Sequence, residues 1–278
     1  MERGIVVLLA LVLSLGAVLA GCVSAADQHF DQGNKLYDQG LYNEAIEEYT
    51  KAIELDPQYA KAYNNRGTAY AELGQFERAI EDYDEAIRLN PQYADAYCSR
   101  GAAYVNLGQP ERAIEDFDEA IRLNPQDALA YYNRGTAYAE LGQFERAIED
   151  YDEAIRLSPQ YAKAYNNRGL AYADLGQFER AIEDYDEAIR LNPQHAQAYF
   201  GRGLAYANLG QPERAIEDYD ESIRLTPQYA KAYYNRGIAY KLQDKKAEAI
   251  ADFEKFITLT DNPQWIEMAR QQIKELSE

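Results

Sequence analysis

The chain has 278 residues, of which 47% are hydrophobic and 12% aromatic, and its formal net charge is −19. This length allows one or two ordinary domains, or an array of repeats that needs no single core. The negative charge argues against sequence-independent binding to nucleic acid, which relies on lysine and arginine, and against simple electrostatic adhesion to anionic lipid.

The N-terminal segment has the pattern of a secretory signal. The first three residues give a short charged start, and an apolar run over residues 5–20 follows, shorter than the roughly 20 residues of a typical membrane-spanning helix. The run ends in Leu-Ala-Gly-Cys at residues 19–22. This tetrapeptide resembles the lipobox of bacterial lipoproteins, which implies cleavage before Cys22, diacylglycerol on its sulfur and acylation of the new N-terminus. An uncleaved anchor and ordinary secretion are the alternatives.

The lipobox resemblance gives an expected location. We expect residues 1–21 to be the signal peptide and residues 22–26 to be a short linker behind the lipid on Cys22. Two or three acyl chains anchor a protein stably, because each buried CH₂ contributes about 0.8 kcal/mol. The expected site is therefore the extracytoplasmic side of the cell membrane or outer membrane. In an envelope with two membranes, Val23 after the cysteine favours the outer one by similarity.

The rest of the chain repeats with a period of 34 residues. Glycine recurs at Gly33, Gly67, Gly101, Gly135, Gly169, Gly203 and Gly237, and alanine at Ala45, Ala79, Ala113, Ala147, Ala181, Ala215 and Ala249. A fixed period of this length predicts a stacked array, and such arrays mostly offer surfaces to other molecules.

Each unit contains two helical patterns. In residues 60–93 the first helix is expected to end at Gly74, because glycine adopts the left-handed conformation without penalty, and the second to run from about Phe76 to Leu89 before Pro91. The spaced residues that carry both patterns are Tyr63, Gly67, Tyr70, Ala79, Tyr83, Ala86 and Pro91.

These residues resemble the tetratricopeptide repeat at its positions 4, 8, 11, 20, 24, 27 and 32. The resemblance covers about residues 26–263 and implies an all-α fold, a right-handed α-solenoid of seven helix-turn-helix units. We expect the seven repeats within residues 27–263, at about 26–59, 60–93, 94–127, 128–161, 162–195, 196–229 and 230–263. Residues 264–278 are expected to form a capping helix, with Trp265, Ala269, Ile273 and Leu276 along one face.

One departure from the family pattern recurs. Position 7, usually leucine, is arginine in the last six repeats: Arg66, Arg100, Arg134, Arg168, Arg202 and Arg236. These arginines either lie along tyrosine faces or pair with acidic second helices, or they form a ladder of cations that faces a ligand. The run Glu-Asp-Tyr-Asp-Glu on the second helices is interpreted as a solvated surface.

The repeats differ from one another mainly on one face. Residues 61–94 differ from residues 163–196 and from residues 129–162 at three places each, and five of these six changes fall at positions 2, 5, 9, 13 and 34. In tetratricopeptide arrays these positions line the binding groove. We therefore predict a groove that binds a peptide, with side chains packed between first helices as the alternative. Its candidate residues are Asn65, Tyr132, Asn133, Asn167, Leu170, Phe200, Leu204, Tyr234, Asn235 and Ile238.

The asparagines at position 6 hold a peptide backbone in some members of the family, or they are solvated amides. Binding of acidic chaperone C-termini requires Lys at position 5 with Asn at position 9, and Asn34 stands beside Phe30 instead. Cys98 is expected to be a small, partly buried thiol.

The sequence contains no nucleotide-binding glycine loop, no His-Glu-x-x-His and no Gly-x-Ser-x-Gly. We predict no enzymatic activity, cofactor, metal, nucleic acid or small-molecule substrate. The expected function is that of a membrane-anchored scaffold or adaptor, which binds a protein or peptide segment during cell-envelope protein assembly. The alternative is a structural, self-associating envelope protein without a dedicated ligand.

Overall fold

The computed structural model describes residues 24–278. The predicted signal peptide and the lipidation site Cys22 lie outside the described residues. The described part is built from 15 α-helices and contains no strand, which confirms the predicted all-α fold. None of these helices combines the length and the apolar character that crossing a membrane requires.

Fourteen of these helices form seven short-linked pairs, and the fifteenth follows the last pair. The chain divides into two compact units, which are described separately. The first unit, residues 24–123, contains α1 (Ala25–Asp38), α2 (Tyr42–Leu55), α3 (Ala60–Glu72), α4 (Phe76–Leu89), α5 (Ala94–Asn106) and α6 (Pro110–Leu123). The second unit, residues 124–278, contains α7 (Ala128–Glu140), α8 (Phe144–Leu157), α9 (Ala162–Asp174), α10 (Phe178–Leu191), α11 (Ala196–Asn208), α12 (Pro212–Leu225), α13 (Ala230–Leu242), α14 (Lys246–Thr258) and α15 (Pro263–Ser277).

The turn inside each pair has the predicted backbone. Gly74 has a φ of +71°, and the N–H of the next residue, Gln75, donates to the Tyr70 carbonyl oxygen at 2.9 Å. Asp244 takes the same place in the last pair with a φ of 57°. The chain therefore reverses after the first helix and returns along it as the second.

A glycine and an aromatic ring set the distance between the two helices of a pair. A Cβ added to Gly67 would lie 2.8 Å from Cε1 of Tyr83 and 3.0 Å from the carbonyl oxygen of Ala79. Tyr83 is only 1% exposed, so its ring fills the space that the missing side chain leaves. The other repeats place Tyr or Phe against the same glycine.

The arginine at position 7 is tied to the second helix of its own pair. In the fifth repeat, Arg168 donates from Nε and Nη2 to the two carboxylate oxygens of Asp184 at 2.8 and 2.6 Å. The same two-point contact joins Arg66 to Asp82, Arg100 to Asp116, Arg134 to Asp150, Arg202 to Asp218 and Arg236 to Asp252. The arginines therefore have a structural role.

These aspartates correct the interpretation of the acidic run as a solvated surface. Asp184 is 4% exposed, and Asp82 and Asp218 are buried in the same way. Only part of the run faces solvent, because its first aspartate turns inward to meet an arginine 16 residues earlier in the chain. Helical spacing alone did not reveal which carboxylate of the run was paired.

The same arginine also joins neighbouring pairs within a unit. Arg168 Nη1 donates to Asp152 on α8, the second helix of the preceding repeat, at 2.5 Å. In the first unit, Arg100 reaches Asp84 in this way, whereas Arg66 meets the hydroxyl of Thr50 at 3.1 Å. One guanidinium thus bridges two carboxylates from two successive second helices.

Burial and charge oppose each other at this contact. Burial alone would lower the pKa of Arg168, but the hydrogen bonds and charges of Asp184 and Asp152 outweigh it and raise the pKa above its ordinary value. Burial also raises the pKa of Asp184, and Arg168 partly opposes that shift. A carboxylate buried this deeply is strongly unfavourable once its partner is removed.

We predict that Arg168→Leu destabilises the protein by about 3–5 kcal/mol, because it leaves Asp184 buried without a counterion. Denaturant unfolding measures the change. The matched control is Arg190→Leu in the same repeat, because Arg190 is exposed and pairs only with Glu187 at i−3. Similar losses of unfolding free energy in the two variants would show that the burial of Asp184 does not require Arg168 as its counterion.

The core tyrosines give the fold a dependence on alkaline pH. Tyr151 is 1% exposed, and burial raises its pKa to about 12. In the unfolded chain the pKa is near 10. Between these values the unfolded chain loses the proton while the folded chain keeps it. The stability that the neutral tyrosine gives is therefore present below about pH 10 and lost as the pH rises to about 12.

We predict that raising the pH from 8 to 12 costs Tyr151→Phe roughly 2–3 kcal/mol less unfolding free energy than it costs the unsubstituted protein, because phenylalanine has no proton to lose. At pH 8 the variant is expected to differ by no more than about 1 kcal/mol, the worth of its weak hydroxyl contact with Thr136 at 3.4 Å. Phe117 is the natural precedent at the same repeat position. Denaturant unfolding measures both proteins. If they lose the same unfolding free energy at alkaline pH, the loss does not come from Tyr151.

Candidate functional site

The predicted groove residues lie on the surface formed by repeat positions 2, 5, 6, 9, 13 and 34, which we call the first-helix face. Asn65 lies on α3 in the first unit. The others lie in the second unit, on the first helices of four successive pairs: Tyr132 and Asn133 on α7, Asn167 and Leu170 on α9, Phe200 and Leu204 on α11, and Tyr234, Asn235 and Ile238 on α13.

The structure brings Leu170, Phe200 and Leu204 together around one cleft of about 480 Å³, which we call the Phe200 cleft. Leu170 is 52% exposed. The wall also includes Tyr185, Gly201 and Tyr229, and the charged side chains of Asp174 and Lys231. The cleft is therefore largely apolar, with one charge of each sign.

Aromatic packing holds the central ring of this cleft in place. The Phe200 ring lies 4.8 Å from the Tyr229 ring and 5.9 Å from the Tyr219 ring, measured between centroids. Leu204 packs against the buried cluster that contains Tyr206 and Tyr219. The two residues thus present partly buried, immobilised surfaces, whereas Leu170 stands free at the edge.

A second, polar cleft of about 510 Å³ lies at the N-terminal end of α9. Asn167 donates to the Tyr132 hydroxyl at 3.1 Å, and the Tyr132 ring packs on Tyr161 at 4.9 Å. Burial lowers the pKa of His195, which stands where four of the other repeats have tyrosine. Tyr132 and Asn167 therefore belong to an amide-rich surface that is distinct from the Phe200 cleft.

The three predicted residues on α13 belong to the C-terminal cap. The Tyr234 ring packs on Phe256 at 5.1 Å, and Ile238 packs against the same buried cluster. Asn235 donates to the backbone carbonyl of Lys231 on its own helix at 2.8 Å. Tyr234 and Asn235 line a shallow cavity of about 110 Å³ next to Trp265 and Met268. The predicted apolar strip thus divides among separate sites.

The position-6 asparagines make hydrogen bonds within the protein. Asn65 donates to Asn34 at 2.8 Å and accepts from Asn64 at 3.2 Å. Asn34 also accepts from the Tyr49 hydroxyl at 2.9 Å. Asn133 is half-buried on α7. These amides are neither simply solvated nor fully free to hold a peptide backbone.

Sequence reasoning missed Tyr185 and Gly201 as parts of the site. A Cβ added to Gly201 would lie 2.6 Å from Cζ of Tyr185, so the tyrosine ring occupies the room above this residue. A comparison of position 6 would have found the signal, because Gly201 is the only glycine there among the seven repeats.

Cys98 is the cysteine within residues 24–278, and it is buried. This part of the chain contains no group of three His, Cys, Asp or Glu side chains that could hold a metal ion. Cys98 is 7% exposed on α5, which fits a small buried side chain more closely than a reactive one.

Known protein families match most of the chain. Family models described as tetratricopeptide repeat match residues 94–127, 117–149, 166–230 and 208–262, and one described as TPR repeat matches residues 33–74, 67–108 and 135–176. Among curated proteins, Hsp70-Hsp90 organizing protein 1 of Glycine max is 45% identical over 47 residues, which are 17% of this chain. The match spans about 8% of that protein's length.

Solved structures show the same architecture. YrrB, described as a TPR protein with an unusual peptide-binding site, is 28% identical over 66% of this chain and 95% of its own, with a TM-score of 0.55. PilW, described as a widely conserved type IV pilus biogenesis factor, is 19% identical over 76% of this chain and 97% of its own, with a TM-score of 0.69, and supports the fold alone. With these matches, the helix pairs and the recurring glycine contacts, the chain belongs to the tetratricopeptide repeat family.

Proposed function

We propose that this protein is a non-enzymatic, membrane-anchored adaptor that binds a segment of another protein at the first-helix face of residues 124–278 during cell-envelope protein assembly. Membership of the tetratricopeptide repeat family supports the role of a protein-interaction scaffold. The observation that carries the rest of the binding proposal is the Phe200 cleft.

The cleft has the size and lining of a binding site. Its volume of about 480 Å³ lies within the roughly 300–1,000 Å³ of typical ligand clefts. Leu170 is 52% exposed at repeat position 9, where two other repeats of the same fold have Thr68 and Thr136. Because the scaffold does not need an exposed leucine there, the side chain is better explained by contact with a partner.

A peptide is the class of partner that the comparisons favour. YrrB is described as having a peptide-binding site, and its likeness to this chain extends over two thirds of the residues. The first-helix face of the second unit offers both an apolar cleft and an amide-rich cleft beside it. An extended segment can place side chains in one and backbone groups against the other.

Membrane anchoring rests on the Leu-Ala-Gly-Cys sequence at residues 19–22. Helix α1 begins at Ala25, three residues after Cys22, so an acyl group on Cys22 would hold the first repeat within about 10 Å of the membrane surface. Attachment to a membrane raises the local concentration of a partner that is also located there.

A structural role through self-association is the second candidate. The observation in its favour is the pair of exposed apolar side chains on α15, Trp265 at 42% and Met268 at 52%. Light scattering of the protein without its lipid distinguishes the two candidates, since an adaptor is expected to be monomeric. Association abolished by Met268→Asp would favour the structural role.

We predict that Leu170→Asp abolishes partner capture in crosslinking and pull-down from native membranes, because it places a charge in an apolar cleft. Leu170 is exposed, so the variant is expected to keep its helicity and to change in stability by no more than about 0.5 kcal/mol. The matched control is Leu55→Asp, the same change at a leucine that is 55% exposed at the end of α2, in the first unit and off the first-helix face. Capture that survives Leu170→Asp would count against binding at this face.

We predict that Cys22→Ser stops metabolic labelling with radioactive fatty acid and releases the protein from the membrane fraction, because the serine hydroxyl does not replace the acylated sulfur. Cys98→Ser is the control and is expected to leave both unchanged. Labelling that continues in Cys22→Ser would refute the lipobox interpretation.

A further inference from the structure

We propose that the Phe200 cleft binds an extended peptide segment by taking up one tyrosine side chain, with residues of opposite charge on either side of that tyrosine. This inference rests on the proposed function, because it names the chemistry of the segment that the adaptor binds. It follows from the combination of Leu170 at position 9 with Gly201 at position 6 of the next repeat, which no other two adjacent repeats have.

Leu170 removes the hydrogen-bond partner of a buried tyrosine. In two other repeats the core tyrosine hydroxyl meets the threonine at position 9, at 3.3 Å between Tyr83 and Thr68 and at 3.4 Å between Tyr151 and Thr136. In the fifth repeat Leu170 occupies position 9, and residues 24–278 offer the Tyr185 hydroxyl no hydrogen-bond partner. Tyr185 is 2% exposed overall and its side chain lines the cleft, so a ligand that excluded water without pairing with the hydroxyl would leave it unsatisfied.

Gly201 lets this tyrosine reach the cleft. The residues at the same position in the other repeats are Asp31, Asn65, Ser99, Asn133, Asn167 and Asn235. A Cβ on Gly201 would lie 2.8 Å from the Tyr185 hydroxyl oxygen and 2.6 Å from Cζ. The phenol therefore lies across the backbone of α11 and forms part of the cleft wall, where a side chain would otherwise stand.

A tyrosine side chain satisfies both the apolar and the polar parts of this wall. Its ring can pack on Phe200, Leu170 and Leu204, and its hydroxyl can pair with the Tyr185 hydroxyl, since each is both donor and acceptor. Phenylalanine or leucine would leave the Tyr185 hydroxyl unpaired. The volume of about 480 Å³ exceeds the roughly 150 Å³ that accommodates a benzene ring.

Two exposed charges mark the ends of the cleft. Asp174 is the last residue of α9, and Lys231 is the second residue of α13. Each helix pair is an antiparallel hairpin, so successive first helices run in the same direction and the two charges lie at opposite ends. Along the helix axis, positions 2 and 13 are eleven residues apart, about 17 Å, and peptide residues two either side of a tyrosine are four extended steps, about 14 Å, apart before their long side chains are counted. A segment with opposite charges two residues either side of its tyrosine matches this spacing.

The test uses four acetylated and amidated pentapeptides with the purified full-length protein. Two are the isomers Glu-Gly-Tyr-Gly-Lys and Lys-Gly-Tyr-Gly-Glu, and two carry Phe in place of Tyr. All four have zero net charge, so the charge of −19 on the protein acts on them equally. Calorimetric titration gives each Kd. One tyrosine isomer is expected to bind about fivefold more tightly than the other and about fivefold more tightly than its Phe counterpart.

Variants that copy other repeats of the same chain locate the binding. Leu170→Thr restores the partner that Thr68 and Thr136 provide, so the preference for Tyr over Phe is expected to fall to about one. Gly201→Asn fills the cleft and is expected to weaken binding at least tenfold. If Gly201→Asn does not fold, Gly201→Ser is used in its place, since serine occurs at the same repeat position as Ser99. Thr68→Leu in the first unit is the control and is expected to leave the Kd values of all four peptides unchanged. Circular dichroism checks that each variant keeps its helicity.

Several outcomes would overturn the inference. Equal affinity for the Tyr and Phe peptides, or a Tyr preference that persists in Leu170→Thr, would refute the hydroxyl pair. Equal affinity of the two isomers, or a difference that survives Lys231→Gln, would refute the charge arrangement. If no pentapeptide binds at about millimolar concentration while Leu170→Asp still abolishes partner capture, this inference fails and the proposed function stands. If the tyrosine peptides bind but partner capture does not depend on Leu170, the proposed function fails and the inference of a tyrosine-binding cleft stands.

Discussion

The two-point contact between arginine and aspartate is the interaction on which each unit of this protein depends. It joins the first helix of a repeat to the second, and in most repeats it also reaches the second helix of the preceding repeat. The planar guanidinium fixes both distance and rotation, because two parallel hydrogen bonds allow little freedom. The buried carboxylate makes the contact obligatory, since Asp184 is only 4% exposed and is strongly unfavourable without its partner.

This arrangement separates the scaffold from the recognition surface. The arginine contact uses positions 7, 23 and 25, and the helix spacing is set by the glycine and aromatic ring at positions 8 and 24. None of these positions belongs to the first-helix face. Side chains on that face can therefore change without disturbing the backbone, and Leu170, Gly201 and Leu204 show such changes. One of these changes leaves a buried polar group unpaired. Leu204 stands where Thr68 meets the core tyrosine of another repeat, and the buried Tyr219 hydroxyl has no hydrogen-bond partner in residues 24–278.

Local signals predicted the helices more closely than the site. The second helix of residues 60–93 was expected from about Phe76 to Leu89 and has those bounds, and Gly74 has the left-handed backbone that ends the first helix. Such features depend on neighbouring residues only. The first-helix face was assigned by comparing repeats, but the predicted strip divides between the Phe200 cleft, the polar cleft of Tyr132 and the packing of Tyr234 beneath the cap.

The sequence by itself determined the repeat, the all-α fold, the positions of the turns and the face on which the copies differ, because each follows from periodicity or from the conformational preference of single residues. Only the tertiary structure decided that Asp184 is buried against Arg168, and that Tyr185 extends over Gly201 into a cleft. Both contacts join residues 16 apart on different helices. Their direction depends on how closely the helices pack, which helical spacing alone does not specify.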